Sequence, residues 1–190
     1  MDIAKIFTSK TRKELFRLYF TNPDKEYYLR ELERILGIPV SMVRKELVRL
    51  EQDGVFSSKK RGNLTYFYLN KDFPLFEELK SIVDKTIGVQ GFLKQRIQKI
   101  KKIEIAFIYG SYAKKEESAA SDIDLFIIGN INEDELVTEL RKVEKVLKRE
   151  INYSLYSKQD FQRKKREDES FTMDLIKNPK IFLVGDEDEL

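Results

Sequence analysis

The 190-residue chain contains no cysteine, no histidine and no tryptophan. Without cysteine there is no disulfide framework, no thiolate zinc site and no thiol nucleophile. Without histidine there is no triad built on an imidazole base. A general base in this chain has to be a carboxylate or a perturbed lysine. A bound metal has to be a hard cation held by oxygen ligands, which points to Mg²⁺ or Mn²⁺. Long apolar runs are missing too: none approaches the roughly 20 residues that span a bilayer. The N-terminus, MDIAKIFTSK, lacks the charged-then-apolar layout of a secretory signal. These absences predict a soluble, cytoplasmic protein with no membrane partner.

Hydrophobic residues make up 41% and aromatics 12%, enough to bury a sizeable core. Charged residues make up 36%, above the roughly 25% of an average soluble domain, and they are unevenly spread. Residues 1–70 carry 14 Lys/Arg against 9 Asp/Glu, whereas residues 71–190 carry 22 against 24. A basic first third on a near-neutral body suggests a nucleic-acid-binding module attached to something else.

From Thr8 to Phe20, Leu15, Phe16, Leu18 and Tyr19 recur at spacings of three and four, which predicts a helix with one buried face. Thr8 or Ser9 caps its start, and Thr21-Asn22-Pro23 ends it. A second short helix is predicted from about Leu29 to Leu36, with Leu32, Ile35 and Leu36 inward and Gly37 just past its end. Pro39 opens a third helix, where its missing amide hydrogen costs nothing, and Asp53-Gly54 terminates it. Val43, Leu47 and Leu50 form the buried stripe of that helix. Val55 to Ser58 then reads as a strand, Lys59-Lys60-Arg61-Gly62-Asn63 as a basic turn, and Leu64 to Leu69 as a second strand.

Two short helices across a Gly-containing turn, followed by a basic hairpin, resemble the winged-helix transcription regulators over roughly residues 8–70. The resemblance implies a third helix in the DNA major groove and a hairpin wing along the phosphates. The groove-facing positions are then Val40, Ser41, Arg44 and Lys45, and the wing contacts are Lys59, Lys60 and Arg61. The alternative is a winged helix that contacts only protein. The stretch 74–102 is apolar at helical spacing and interrupted by Gly88 and Gly91. Phe76, Leu79, Ile82 and Val83 suit a helix that packs or dimerises, so a homodimer is expected. Phe92, Ile97 and Ile100 suit a second helix leading onward.

In the C-terminal half, Ile103 to Tyr109 is an apolar run of strand length ending in Gly110-Ser111. Asp122 to Ile128 reads as a second strand, Glu133 to Arg149 as an amphipathic helix with Leu136, Leu140, Val143 and Leu147 inward, and Ile151 to Tyr156 as a third strand. Alternation along the second strand puts Asp122 and Asp124 on one face, roughly 6.5–7 Å apart along the backbone. Two carboxylates so placed repel one another unless a cation sits between them. Metal-assisted phosphoryl transfer needs such oxygen ligands. Gly110-Ser111 at a strand end lets amides and a hydroxyl approach phosphate oxygens closely.

Gly110-Ser111-Tyr112-Ala113 through Ser121-Asp122-Ile123-Asp124-Leu125 resembles the polymerase-β nucleotidyltransferase superfamily, most closely its minimal single-domain branch, over roughly residues 86–157. The resemblance implies a small mixed sheet flanked by helices. It implies that Gly110 and Ser111 bind the nucleoside triphosphate (NTP) while Asp122 and Asp124 bind Mg²⁺ or Mn²⁺ and serve catalysis. The tail from Asn178 to Glu187 resembles chains that fuse a winged helix to this domain. Two departures stand out: Lys115 replaces a glycine common in the turn, and Asn152 stands where active members carry a third carboxylate. Glu150 has the same facing parity as Asn152, one pleat earlier.

The sequence thus predicts an α+β chain with a winged helix at 1–70, a helical connector at 71–101 and a nucleotidyltransferase-like domain at 102–190. Two functions remain open. One is a regulator that binds double-stranded DNA and senses an NTP with weak or lost catalysis. The other is an active enzyme that nucleotidylates a protein or small-molecule hydroxyl, as antitoxin-like members do.

Overall fold

The computed structural model describes residues 9–114, 116 and 121–190. The chain divides into two compact units, residues 1–89 and 90–190. No helix among the described residues is long and apolar enough to cross a membrane.

In the first unit, helix α1 (Lys10–Thr21) begins where the Ser9 hydroxyl accepts a hydrogen bond from the Arg12 amide at 3.3 Å. Thr8, the other candidate cap, lies outside the described residues. A two-residue strand β1 (Tyr27–Tyr28) leads into α2 (Leu29–Leu36), which Gly37 ends at φ 65°, a left-handed conformation that favours glycine. Helix α3 (Val40–Gln52) follows, and Pro39 is its N-cap rather than its first helical residue. Strands β2 (Phe56–Arg61) and β3 (Leu64–Leu69) form a hairpin, and the sheet order is β1-β3-β2, all antiparallel. Helix α4 (Phe76–Thr86) closes the unit.

The hairpin corrects the sequence reading. Lys59, Lys60 and Arg61 are not a turn; they continue β2, paired with Tyr66, Thr65 and Leu64. The turn shrinks to Gly62-Asn63, a two-residue loop with Gly62 at φ 57°. Lysines are poor strand formers, yet β2 is an edge strand, where exposed charges are well tolerated. Leu15, Tyr19, Leu32, Val43, Leu47 and Phe56 make the heart of this unit's core. The Tyr19 ring stands perpendicular to Tyr27 and Phe56 at centroid distances of 5.2 and 4.8 Å. Its hydroxyl donates to the Phe67 carbonyl at 3.1 Å, and burial pushes its pKa well up. Of the residues assigned to a packing or dimerising face, Phe76 and Val83 are buried and Ile82 is 37% exposed.

Helix α5 (Val89–Ile97), which leads into the second unit, contains Gly91 without a break, and Ile87 and Gly88 separate it from α4. Then come β4 (Ile103–Tyr109), α6 (Gly110–Lys114), β5 (Ile123–Gly129), α7 (Glu133–Leu147) and β6 (Ile151–Tyr156). Helices α8 (Lys158–Arg166) and α9 (Ser170–Lys177) and strand β7 (Ile181–Val184) complete the fold. The sheet order is β6-β5-β4-β7, with β5 and β6 parallel and the other pairs antiparallel, so it is mixed as expected. The β5–α7–β6 crossover buries Leu136, Leu140, Val143 and Leu147. On one sheet face, Ile105, Phe107, Phe126 and Ile128 pack with Phe161 of α8 and Leu175 of α9. Ala106, Ile108, Ile123, Leu125 and Ile127 are buried on the other.

The phase of α3 is testable. Leu47 is fully buried and Val48 is 38% exposed. Leu47→Ala is expected to cost about 2–5 kcal/mol, and Val48→Ala less than about 0.5 kcal/mol, in urea unfolding. Equal costs would mean that the helix is rotated from this packing.

Candidate active site

Strand register assembles the site. Tyr109 of β4 pairs with Asp124 of β5, and Asp124 pairs with Asn152 of β6. Paired residues share a face, so these three form one row across the sheet. The next row, Phe107, Phe126 and Ser154, is largely core. The face therefore changes from aromatic to acidic within one pleat, at the end where β5 begins. Asp122 sits just before the strand on the same face, and the Asn152 amide donates to its Oδ2 at 3.2 Å.

Gly110 turns the chain from β4 into α6 at φ 71°. The positive φ favours glycine here, and a Cβ on this residue would force the Asp124 carboxylate to turn away. Ser111 is half-buried beside it, within α6, a short helix that the sequence reading did not assign. Arg149 braces the acidic strand from below its start. Its guanidinium donates to the Ser121 carbonyl, through Nε at 3.0 Å, and lies 5.5 Å from the Tyr112 ring centre. One buried cation thus ties α6 to the residue before Asp122.

Desolvation and then the charge of Asp122 raise the Asp124 pKa, against a lowering hydrogen bond from Asn152. Desolvation also raises that of Tyr109, with Asp124 adding to the effect and a hydrogen bond to Ser154 opposing it. Neither carboxylate has an ion pair among the described residues. Two crowded, under-compensated carboxylates fit a hard divalent cation that shares its remaining sites with phosphate oxygens. Among the described residues no three acidic side chains converge as a metal cage, so Glu150, exposed beside the start of β6, does not complete one. Lys115 lies outside the described residues.

The predicted DNA-facing residues divide into two groups. Ser41, Arg44 and Lys45 are exposed on α3, next to Arg49, and line one surface depression. On the hairpin, Lys59 and Arg61 both pair with Glu26 and lie over the rings of Tyr68 and Tyr66. Lys60 is exposed, with no ion pair among the described residues. Arg149 escaped the sequence reading because nothing distinguishes it from its neighbour Lys148. So did Phe171, Asp174 and Asn178 of the α9 segment, which flank a cleft beside Gly110.

The raised pKa of Asp124 has a consequence for stability. The folded state binds this proton more tightly than the unfolded chain, whose pKa is about 3.9. Stability is therefore lost as pH rises through the window from that value to the raised one. Asp124→Asn in the metal-free protein is expected to raise Tm at neutral pH, with the gain shrinking as pH falls through the carboxylate range. Differential scanning fluorimetry across pH checks it; a gain independent of pH would assign the effect to packing.

Comparison with known proteins bears on this site. No curated protein matches the chain. A solved toxin–antitoxin structure with AMP-PNP is 14% identical, with a TM-score of 0.39, and the match covers 53% of this chain and 76% of that one. A structure from Sulfolobus solfataricus, described as a nucleotidyltransferase, is 15% identical, with a TM-score of 0.28, over 39% of this chain and 68% of that one. The polymerase beta nucleotidyltransferase family is matched over residues 92–188, just over half of the chain, and that span holds Gly110, Ser111, Asp122, Asp124 and Asn152. The chain belongs to the polymerase beta nucleotidyltransferase family.

Proposed function

We propose that the C-terminal unit transfers a nucleoside monophosphate from an NTP to a hydroxyl of a protein or small molecule, slowly, and that the N-terminal unit is a winged helix that engages duplex DNA. The observation that carries the first part is the Tyr109–Asp124–Asn152 row with Gly110 against Asp124. Asp122 and Asp124 hold Mg²⁺ or Mn²⁺, and Gly110-Ser111 receives the triphosphate. The bound cation supplies neutralisation of the phosphate charge. In the reaction a bond forms between the acceptor oxygen and the α-phosphorus. The bond to the bridging oxygen breaks, and pyrophosphate leaves.

Asn152 sets the rate in this reading. Its amide holds Asp122 in place but cannot accept the hydroxyl proton, which must pass to solvent. Restoring a carboxylate restores a base. Asn152→Asp is expected to raise transfer of labelled nucleotide about 10²-fold, the low end of general-base effects. Asp122→Asn with Asp124→Asn should abolish metal-dependent NTP binding. If wild type is fast and Glu150→Gln abolishes transfer, the third carboxylate is Glu150. If wild type and Asn152→Asp bind NTP without transfer, the unit senses nucleotide for a regulator.

Support for DNA binding is the exposed cationic face of α3, where Arg44, Lys45 and Arg49 have no ion pair among the described residues. The hairpin contributes less than its sequence suggests, because Glu26 already engages Lys59 and Arg61. Replacing Arg44 and Lys45 by Ala is expected to flatten the log–log salt dependence of duplex binding by about 1.8. An unchanged slope in a fluorescence anisotropy titration would remove α3 from the interface.

A further inference from the structure

A cleft of about 190 Å³ opens beside Gly110, and its walls include Tyr109, Lys114, Phe171, Asp174 and Asn178. We propose that this cleft takes the base of the nucleoside triphosphate and selects guanine through Asp174. The inference rests on the reading that an Mg–NTP occupies the carboxylate site, and it adds which base that NTP carries.

Position comes first. Gly110 belongs both to the cleft and to the contact with Asp124, and Tyr109 is in the same sheet row as Asp124. A triphosphate at Gly110-Ser111 therefore has its nucleoside end within reach of the cleft. Size comes next. The volume is below the roughly 300 Å³ at which drug-sized pockets begin, so it suits a heterocycle rather than a whole nucleotide. The walls suit one too. Phe171 is 36% exposed although it is apolar, and its ring lies 6.0 Å from that of Tyr109, tilted at 72°. A partly bare aromatic face beside a second ring is a stacking surface for a base.

The polar groups decide which base. Phe171, Asp174 and Asn178 follow one another at spacings of three and four, on one face along α9 and its C-terminal end. Asp174 is exposed and has no ion pair among the described residues, so its carboxylate is free to accept. The Asn178 amide nitrogen donates to the Asp174 backbone carbonyl at 2.8 Å, which fixes that side chain against the end of α9 in the cleft wall. A carboxylate has two acceptor oxygens and no donor. Guanine alone among the four bases places two donors side by side, the N1 hydrogen and the 2-amino group, and these match a carboxylate in a bidentate, charge-assisted pair. Adenine and cytosine set a ring nitrogen lone pair beside their amine, and uracil flanks its single donor with carbonyls. Each of these leaves one carboxylate oxygen facing a lone pair. Lys114, exposed on the rim, adds a cation on the phosphate side.

The test is equilibrium binding of fluorescent GTP, ATP, CTP and UTP analogues to the full chain in saturating Mg²⁺. GTP is expected to bind at least about tenfold more tightly than ATP, the lower range for hydrogen bonds to a charged group. Asp174→Asn keeps the shape and replaces one acceptor by a donor. It is expected to lose the GTP preference and to favour xanthosine triphosphate, whose ring has a carbonyl where guanine has the 2-amino group. Phe171→Ala should weaken all four by similar factors, on the order of 5- to 100-fold, because stacking is indifferent to base identity. Equal binding of the four by wild type, or a GTP preference kept by Asp174→Asn, overturns guanine selection and leaves Mg–NTP binding standing. Binding of none of them overturns both.

Discussion

Asp124 sits where a carboxylate is least comfortable, on a sheet face whose next residue inward on that face is the fully buried Phe126. Strand alternation makes this unavoidable: the phase that buries Phe126 and Ile128 also aims Asp122 and Asp124 at the same side. The position is tolerable because it is at the end of the sheet, where the carboxylate is only half-buried. Its neighbours follow from it. Gly110, left-handed at the turn, leaves the space that the carboxylate fills. The chain then folds into α6 at once, which brings Ser111 alongside. Arg149 fixes the backbone before Asp122, so the two carboxylates cannot relax apart by shifting the strand start.

The same electrostatic logic has the opposite outcome in the first unit. There Glu26 lies between two cations of an edge strand and satisfies both, and two tyrosine rings shelter those cations further. Such exposed pairs are individually weak, about 0–1 kcal/mol, yet they cancel charge that would otherwise face a phosphate. On α3 the buried stripe of Val43, Glu46, Leu47 and Leu50 contains its own carboxylate, which pairs with Arg12 at 2.5 Å. Glu46 is spent inward, so the outer face of α3 keeps its positive charge. The two basic segments of this unit are thus alike in composition and unlike in available charge.

Apolar periodicity between glycine or proline signals fixed the bounds of α2, β3, β4 and β6 on the residues that the sequence indicated. Where the signal is local, the reading succeeds. It misses β1 because two residues carry no period, and it cuts β2 short because three cations look like a turn until the partner strand is known. The acidic site was legible through the spacing of Gly110-Ser111 and Asp122-x-Asp124. Its brace and its cleft were not, because Arg149 and Phe171 reach the site from residues far along the chain. No pattern within a window reveals that a lysine-flanked arginine is the buried one, or that Phe171 stays partly bare.

Asn152 shows how an acidic cluster and a stable folded state compete. A carboxylate at this position would make a third negative charge on the same end of the sheet, facing two that already lack ion pairs among the described residues. Without a cation, an added charge would push further up an Asp124 pKa already raised by desolvation and by Asp122. An amide removes that repulsion and turns the contact with Asp122 into a hydrogen bond, so the folded state gains at a point where it was under strain. In the proposed transfer, the same amide cannot take the proton of an acceptor hydroxyl. The residue that relieves the acidic end of the sheet is therefore the one that would slow the proposed transfer, and a single side chain would set both.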